Sequence, residues 1–389
     1  MRDLSRVRTS AAAVRPAFVT RWVPRRVIGV AIAAPLAIAA STAAVAAPAH
    51  AHVRPAATAS VKCVKRTAVK PPPQGIVKPA PGKPGGRQTA GNRVAVNIKP
   101  VCPLGEVPVI KRFPAGLPKG NPERPVGTSG TPAGARSTGS LAAGARRIDL
   151  PCAGVSYPSN PNVCYYYAGA SDLRTDQGGG LTTTIERPGY NNSGGPGHTL
   201  EEMSVQGGPN EGDIVEIGSN VSTDQYGGNA DPHLFVYHWV NWNSTCYGCN
   251  WVQWSNTYYP GMNLSSFVGH SVYNGYVYYQ GNWWGWFNDQ WVGYFAGSLW
   301  PKGEFTNSTQ VQWFGEVATQ NGVPPLDQMG DGLFPSSPAA APMSTLCDVN
   351  AAAWVCFYYD QQSLYQTQAK FYGVLHTGFG AIRLGGPGT

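Results

Sequence analysis

The stretch Thr309-Gln310-Val311-Gln312-Trp313-Phe314-Gly315-Glu316-Val317-Ala318-Thr319 alternates: Gln312, Phe314 and Glu316 share one face of an extended chain, Val311, Trp313, Gly315 and Val317 the other. Period-two patterning rich in β-branched and aromatic residues is the mark of a strand. A second run, Asp213-Ile214-Val215-Glu216-Ile217-Gly218, puts Ile214, Glu216 and Gly218 on one face, and 233–242 groups Phe235, Tyr237, Trp239 and Asn241. The first two runs each carry a glutamate among apolar neighbours, where a carboxylate is costly unless it has a partner or a task.

The same texture fills the chain from Pro151 onward. Short β-prone runs are split by Gly, Asn, Asp and Pro turns, and none holds a helical period over three turns. Strands are expected at 163–169, 181–187, 200–206, 213–218, 233–242, 250–254, 264–268, 271–280, 283–287, 290–295, 309–319, 354–359 and 370–376. That pattern predicts an all-β domain over residues 151–389, an antiparallel two-sheet β-sandwich of jelly-roll or lectin-like type. All 19 Tyr and 11 of the 12 Trp lie there, so only this part can build a sizeable core.

The first 150 residues differ. Arg15, Arg21, Arg25 and Arg26 precede an Ala-rich apolar run with small-residue cleavage patterns such as Ala44-Val45-Ala46, so residues 1–47 read as an export signal. Pro35 interrupts that run, which argues against a permanent membrane anchor. Residues 48–150 contain 16 prolines and few aromatics, the composition of a disordered arm, either propeptide or linker. Charge divides at the same place. Residues 1–150 hold 24 Lys and Arg against 4 Asp and Glu, whereas residues 151–389 hold 5 against 17. The aromatic half is acidic, which excludes a basic nucleic-acid face there and suits a protein at home in acid.

Eight cysteines fit a secreted, extracellular protein. Nearest neighbours make the simplest bridges: Cys63 with Cys102, Cys152 with Cys164, Cys246 with Cys249, and Cys347 with Cys356. Cys246-Tyr-Gly-Cys249 has no second ligand pair nearby, so a loop-closing bridge is expected there rather than a metal site.

Serine-hydrolase elbows, zinc-protease helices, Asp-Thr-Gly triplets and phosphate loops are absent. Glu216 and Glu316 remain. Two carboxyls close together cannot both ionise cheaply; one can activate water while the other, protonated, donates to a scissile carbonyl. Tyr237, Trp239 and Trp313 are candidates for an aromatic substrate wall, with Gln312 beside Glu316 on its strand face. The same pair of carboxylates could serve a glycoside hydrolase, and a Trp-rich sandwich could be a non-catalytic carbohydrate-binding module.

Several runs, in order, carry a resemblance. These are Gly207-Gly208-Pro209 through Glu216-Ile217-Gly218, Asp224-Gln225-Tyr226-Gly227, His233-Leu234-Phe235-Val236-Tyr237-His238-Trp239 and Thr245-Cys246-Tyr247-Gly248-Cys249. Asn282-Trp283-Trp284, Val292-Gly293-Tyr294, Gly315-Glu316-Val317 and Gln328-Met329-Gly330-Asp331-Gly332-Leu333-Phe334-Pro335 continue it. The set resembles the neprosin domain family of secreted glutamic peptidases, over about residues 165–375. The resemblance implies a β-sandwich acid endopeptidase that cuts after proline, needs no metal or other cofactor, and uses Glu216 and Glu316 as its dyad. It implies proline-containing peptides as substrates. The arm, opposite in charge to the domain, is expected to dock over the cleft as an inhibitor near neutral pH.

Overall fold

The computed structural model describes residues 61–74, 96, 98–110, 119–120, 152–157, 160–191, 197–320, 327–350, 355–358 and 363–388, all within the compact unit Arg54–Thr389. The expected export signal lies outside the described residues. Among those described, no helix is long and apolar enough to cross a membrane.

Two large sheets and a small ribbon account for the strands. The ribbon pairs β1 (Val61–Lys65) with β2 (Glu106–Ile110). An eight-stranded sheet runs β17 (Ser363–Gln366), β4 (Asn160–Asp172), β14 (Ser308–Gln320), β6 (Gly197–Gly207), β7 (Asp213–Val221), β8 (His233–Val240), β9 (Asn243–Ser244), with β3 (Val155–Tyr157) beside β4. A nine-stranded sheet runs β10 (Trp251–Gln253), β13 (Gln290–Ala296), β12 (Asn282–Phe287), β11 (Ser271–Tyr279), β5 (Gly178–Thr184), β15 (Pro342–Asn350), β19 (Ala381–Gly385), β18 (Gly373–Gly378), with β16 (Val355–Tyr358) on β15. Every ladder between these strands is antiparallel. The fold is the all-β sandwich expected.

Alternation sorts the eight-stranded sheet into two faces. Tyr166, Met203, Val205, Val215, Ile217, Val236, Val311, Trp313 and Val317 enter the main core, with Tyr276, Trp283 and Phe295 of the other sheet. Each large apolar side chain so buried contributes roughly 1.5–3 kcal/mol. Polar atoms stitch the layers: the Trp313 indole N–H donates to the Gly180 carbonyl (2.9 Å), and the Tyr276 hydroxyl to the Glu216 carbonyl (3.1 Å). The opposite face carries two separate clusters. One holds Tyr165, Tyr167 and Phe314; the other holds Phe235, Tyr237, Trp239 and Tyr247.

Several expectations are corrected here. Residues 265–267 form a 3-10 turn instead of a strand, with Asn263 Oδ1 accepting the Ser265 N–H (2.7 Å). The expected 370–376 strand is displaced to β18. The strand β15 was hidden by Pro342, which is tolerated because it stands first in the strand. In the basic arm, Cys63–Cys102 braces the ribbon, the Arg66 guanidinium lies 4.9 Å over Trp254, and the Val101 N–H donates to the Asn256 carbonyl (2.9 Å). These described parts of the arm pack beside the nine-stranded sheet through those contacts. Cys152–Cys164 and Cys246–Cys249 are bridged, and Cys347 is disulfide-bonded.

Candidate functional site

The outer face of the eight-stranded sheet concentrates the chemistry. β7 and β14 flank β6, and the register sets Ser204 opposite Glu216, Leu200 opposite Glu316, and Glu202 between Phe314 and Gly218. Glu202, Glu216 and Glu316 thus project from three adjacent strands onto one spot, and all are buried. Gly218 makes room: a Cβ there would overlap the Glu202 backbone and side chain. The two aromatic clusters wall the spot on either side.

At its centre stands Lys119, also fully buried. Its ammonium pairs with Glu202 Oε1 and lies 3.4 Å from Glu216 Oε2 and 3.9 Å from Glu316 Oε2. The rings of Phe235 and Phe314 lie 5.1 and 5.6 Å from it. The next residue is equally confined. The Gly120 N–H donates to Glu316 Oε1 (3.2 Å), and a Cβ on Gly120 would overlap the Tyr167 hydroxyl and the Tyr165 ring. His198 Nε2 lies 2.7 Å from that same Glu316 oxygen.

These surroundings split the carboxyls electrostatically. Burial raises Glu216 to about 7, Lys119 pulling it back and Glu316 adding to the rise. Burial also pushes on Glu316, but Lys119, His198 and the Gly120 N–H together hold it below the ordinary glutamate value. Glu202 is driven well above that value by burial, against the pull of Lys119. For Lys119, burial is outweighed by the three carboxylates, which keep it charged far up the pH scale. The arrangement can therefore offer one carboxylate that stays ionised and one carboxyl that holds a proton, on neighbouring strands.

The residues singled out in sequence fall in different places. Glu216 and Glu316 meet at the Lys119 ammonium. Tyr237 and Trp239 stand on the same face, rings 5.6 Å apart, and the charge of Glu216 adds to the burial that raises the Tyr237 phenol. Gln312 also lies there, its amide donating to Gln206 Oε1 (3.3 Å) and its carbonyl accepting from the Tyr365 hydroxyl (2.9 Å). Trp313 does not join them. It occupies the alternate position on β14 and points into the core, so its expected place in the substrate wall is corrected.

Sequence reasoning missed Glu202, Lys119 and His198. The signal for Glu202 was present, since Glu201-Glu202 inside an apolar strand must send one carboxylate to each face. Lys119 had none beyond being one basic residue in a basic arm. Among the described residues, no group of His, Cys, Asp or Glu is arranged to hold a metal ion.

Residues 197–387 match the family model described as Neprosin. No curated protein sequence matches the chain. Among solved structures, the chain is similar to Scytalido-glutamic peptidase bound to a peptide-based transition-state analogue, at 12% identity and a TM-score of 0.35, covering 57% of this chain and 98% of that one. It is similar to the same extent to SCP-B, a member of the Eqolisin family of peptidases in complex with the tripeptide Ala-Ile-His (12% identity, TM-score 0.35, 57% and 98%).

Proposed function

Given that residues 197–387 belong to the neprosin family, we propose that the chain is a secreted acid endopeptidase of the glutamic type, with Glu216 and Glu316 as its catalytic dyad. The observation that carries this reading is the convergence of both carboxylates on one ammonium group, at 3.4 and 3.9 Å. A point that close to both is where a water could be shared between them. With the cleft open, Lys119 and the Gly120 N–H no longer act on Glu316, and His198 alone of these stays beside it; as the ionised member of the pair in this proposal, Glu316 takes a proton from that water. Glu216, protonated, donates to the scissile carbonyl oxygen as its negative charge develops. His198 orients Glu316 through its 2.7 Å contact. Tyr237 and Trp239 supply a flat wall suited to a proline ring on the amino side of the cut.

The N-terminal arm is the inhibitor in this proposal. Its Lys119 and Gly120 stand where water and substrate would go, held mainly by charge. Protonating Glu202 and Glu216 removes attractive charge from around Lys119, so acid loosens the arm and opens the cleft. Residues 1–47 as export signal, 48–150 as propeptide and 151–389 as catalytic domain complete the proposal.

The test is a digest. Full-length protein incubated at about pH 3–4, near the ordinary glutamate range, is offered a peptide library, and the cut sites are read by mass spectrometry. Cleavage after proline, absent from Glu316→Gln, is expected. Release of reducing sugar from a polysaccharide, with peptides untouched, would hand the dyad to glycoside hydrolysis instead.

A further inference from the structure

The proposed chemistry needs two carboxyls, yet the cleft buries three. Taking a third ionisable group out of water costs several kcal/mol unless a partner compensates it. The partner of Glu202 is unambiguous: one of its oxygens contacts the Lys119 ammonium, while Oε2 is buried without a hydrogen-bond partner. We propose that this cleft is a binding site for a lysyl-glycyl segment presented by another chain, that Glu202 is the residue selecting the lysine ammonium, and that such a peptide blocks the dyad rather than being cut.

This rests on reading the cleft as a peptide site, and three features carry it further. The first is charge geometry. Three carboxylates surround one nitrogen, and an ammonium has three donors radiating from a compact charge, whereas a guanidinium is planar and larger. Lysine is therefore favoured over arginine. The second is the aromatic pair Phe235 and Phe314, whose faces attract a cation and cannot replace its hydration with hydrogen bonds of their own. That geometry leaves Glu202, the carboxylate in direct contact, as the main source of the preference for lysine over a neutral chain of equal length. The third is the adjoining slot. Tyr165 and Tyr167 close around Gly120 so tightly that any Cβ collides, and the backbone N–H there is spent on Glu316. The residue after the lysine must be glycine.

Occupation in this mode is inhibitory for a simple reason. The ammonium nitrogen takes the point between Glu216 and Glu316 that a bridging water would need. A lysyl-glycyl peptide bound as Lys119-Gly120 is bound leaves no nucleophile. Substrates must enter without a lysine at that position, so lysyl-glycyl sequences act as competitive ligands.

The experiment uses the full chain carrying Lys119→Ala and Gly120→Ala together, so that its own segment cannot seat. Binding of acetyl-Lys-Gly-amide is measured by calorimetry against acetyl-norleucyl-Gly-amide, acetyl-Arg-Gly-amide and acetyl-Lys-Ala-amide. The Lys-Gly probe is expected to bind at least about tenfold tighter than each of the others. Adding Glu202→Gln is expected to cut the preference for lysine over norleucine by about fivefold or more, leaving what Glu216, Glu316 and the two rings supply, and Glu202→Asp to restore part of it. Norleucine binding as well as lysine, a preference undiminished by Glu202→Gln, or no binding of any probe overturns the proposal.

A second measurement covers a double variant that does not fold. Native acetylation of the wild-type chain should spare Lys119 while marking the exposed Lys302. In the Glu202→Gln chain Lys119 should be acetylated at least about tenfold faster, and equal protection in both chains overturns the role of Glu202. Neither readout needs catalysis. Binding without peptidase activity would sink only the peptidase reading, and activity without Lys-Gly preference would sink only this one.

Discussion

Glu201 and Glu202 are neighbours in the chain and occupants of different worlds. Both are buried, and burial raises both well above the ordinary glutamate value. Glu202 faces outward, meets Lys119 and looks across at two further carboxylates. Glu201 faces the interior, accepts a hydrogen bond from the Thr183 hydroxyl (3.2 Å) and lines a small cavity with Glu186, Leu200 and Gly330. Its charged neighbours are Glu186 and Asp331, both of which push its proton affinity up, and no cation opposes them. One residue of register thus separates a carboxyl paired with an ammonium from a carboxyl whose charged neighbours are all acidic. Burial alone does not make a reactive group; the company does.

The largest expected effect breaks the comparison at the reactive end. Glu316→Gln and Glu216→Gln should each lower acid peptidase activity by about 10²–10⁴-fold, the range for removing a general acid or base, with the circular dichroism spectrum unchanged. Both variants retaining activity would remove the dyad from the mechanism. Next comes the arm. Gly120→Ala forces a Cβ onto the Tyr167 hydroxyl, and overpacking of that kind costs about 1–3 kcal/mol. Full-length Gly120→Ala should therefore show about tenfold to a hundredfold more activity than wild type before any acid treatment. Unchanged latency would mean that the arm does not inhibit through this contact.

The two adjacent glutamates can then be set against each other directly. Glu202→Gln removes the nearest partner of a buried ammonium and should cost about 3 kcal/mol in urea unfolding of the full chain at neutral pH. Glu201→Gln replaces a buried carboxyl that has no cation beside it by a near-isostere that still accepts from Thr183, and should cost less than about 1 kcal/mol. Equal costs would erase the distinction drawn between the two faces.

The sequence pattern made one half of this visible. Alternation in 309–319 and 213–218 was enough to predict strands, the faces of Glu216 and Glu316, and a sandwich, because a half-buried strand cannot hide its period. It could not show that β6 lies between β7 and β14, since strand order depends on crossovers rather than on local pattern. Without that order Glu202 had no reason to join the pair. Trp313 was misplaced although its face was legible: it alternates with Glu316 and therefore had to point into the core. Lys119 was beyond reach because its site is made by long-range contact, and Pro-rich composition describes the average of an arm rather than the one dipeptide that docks.

The smallest effect concerns pH, and it extends the comparison to the whole domain. Burial raises Glu186 and Asp327 to about 7, as it does Glu216, and raises Asp348 to about 9 with added repulsion from Asp172 and Asp176. An acid whose folded value exceeds its unfolded value adds stability that is complete below the unfolded value and is lost as pH rises through the folded one. Glu216 and Glu186 thus release stability between their ordinary 4.5 and about 7, and Asp348 between its ordinary 3.8 and about 9. Glu316, held low, works in the opposite sense, adding stability above the ordinary value and losing it in strong acid. His233 and His238, lowered by burial from 6.5 to about 4, also lose stability as pH falls below the ordinary histidine value. Tm should therefore fall steadily from neutral toward alkaline pH, where the raised acids give up their protons. Asp348→Asn fixes one site in its neutral form, so its profile should match wild type in acid and run flatter between pH 7 and 9, where Glu186, Asp327 and Glu216 have already titrated. Calorimetric scans at intervals across that range decide it: a parallel displacement of the two curves, rather than a change in slope, would show that Asp348 is not the group responsible.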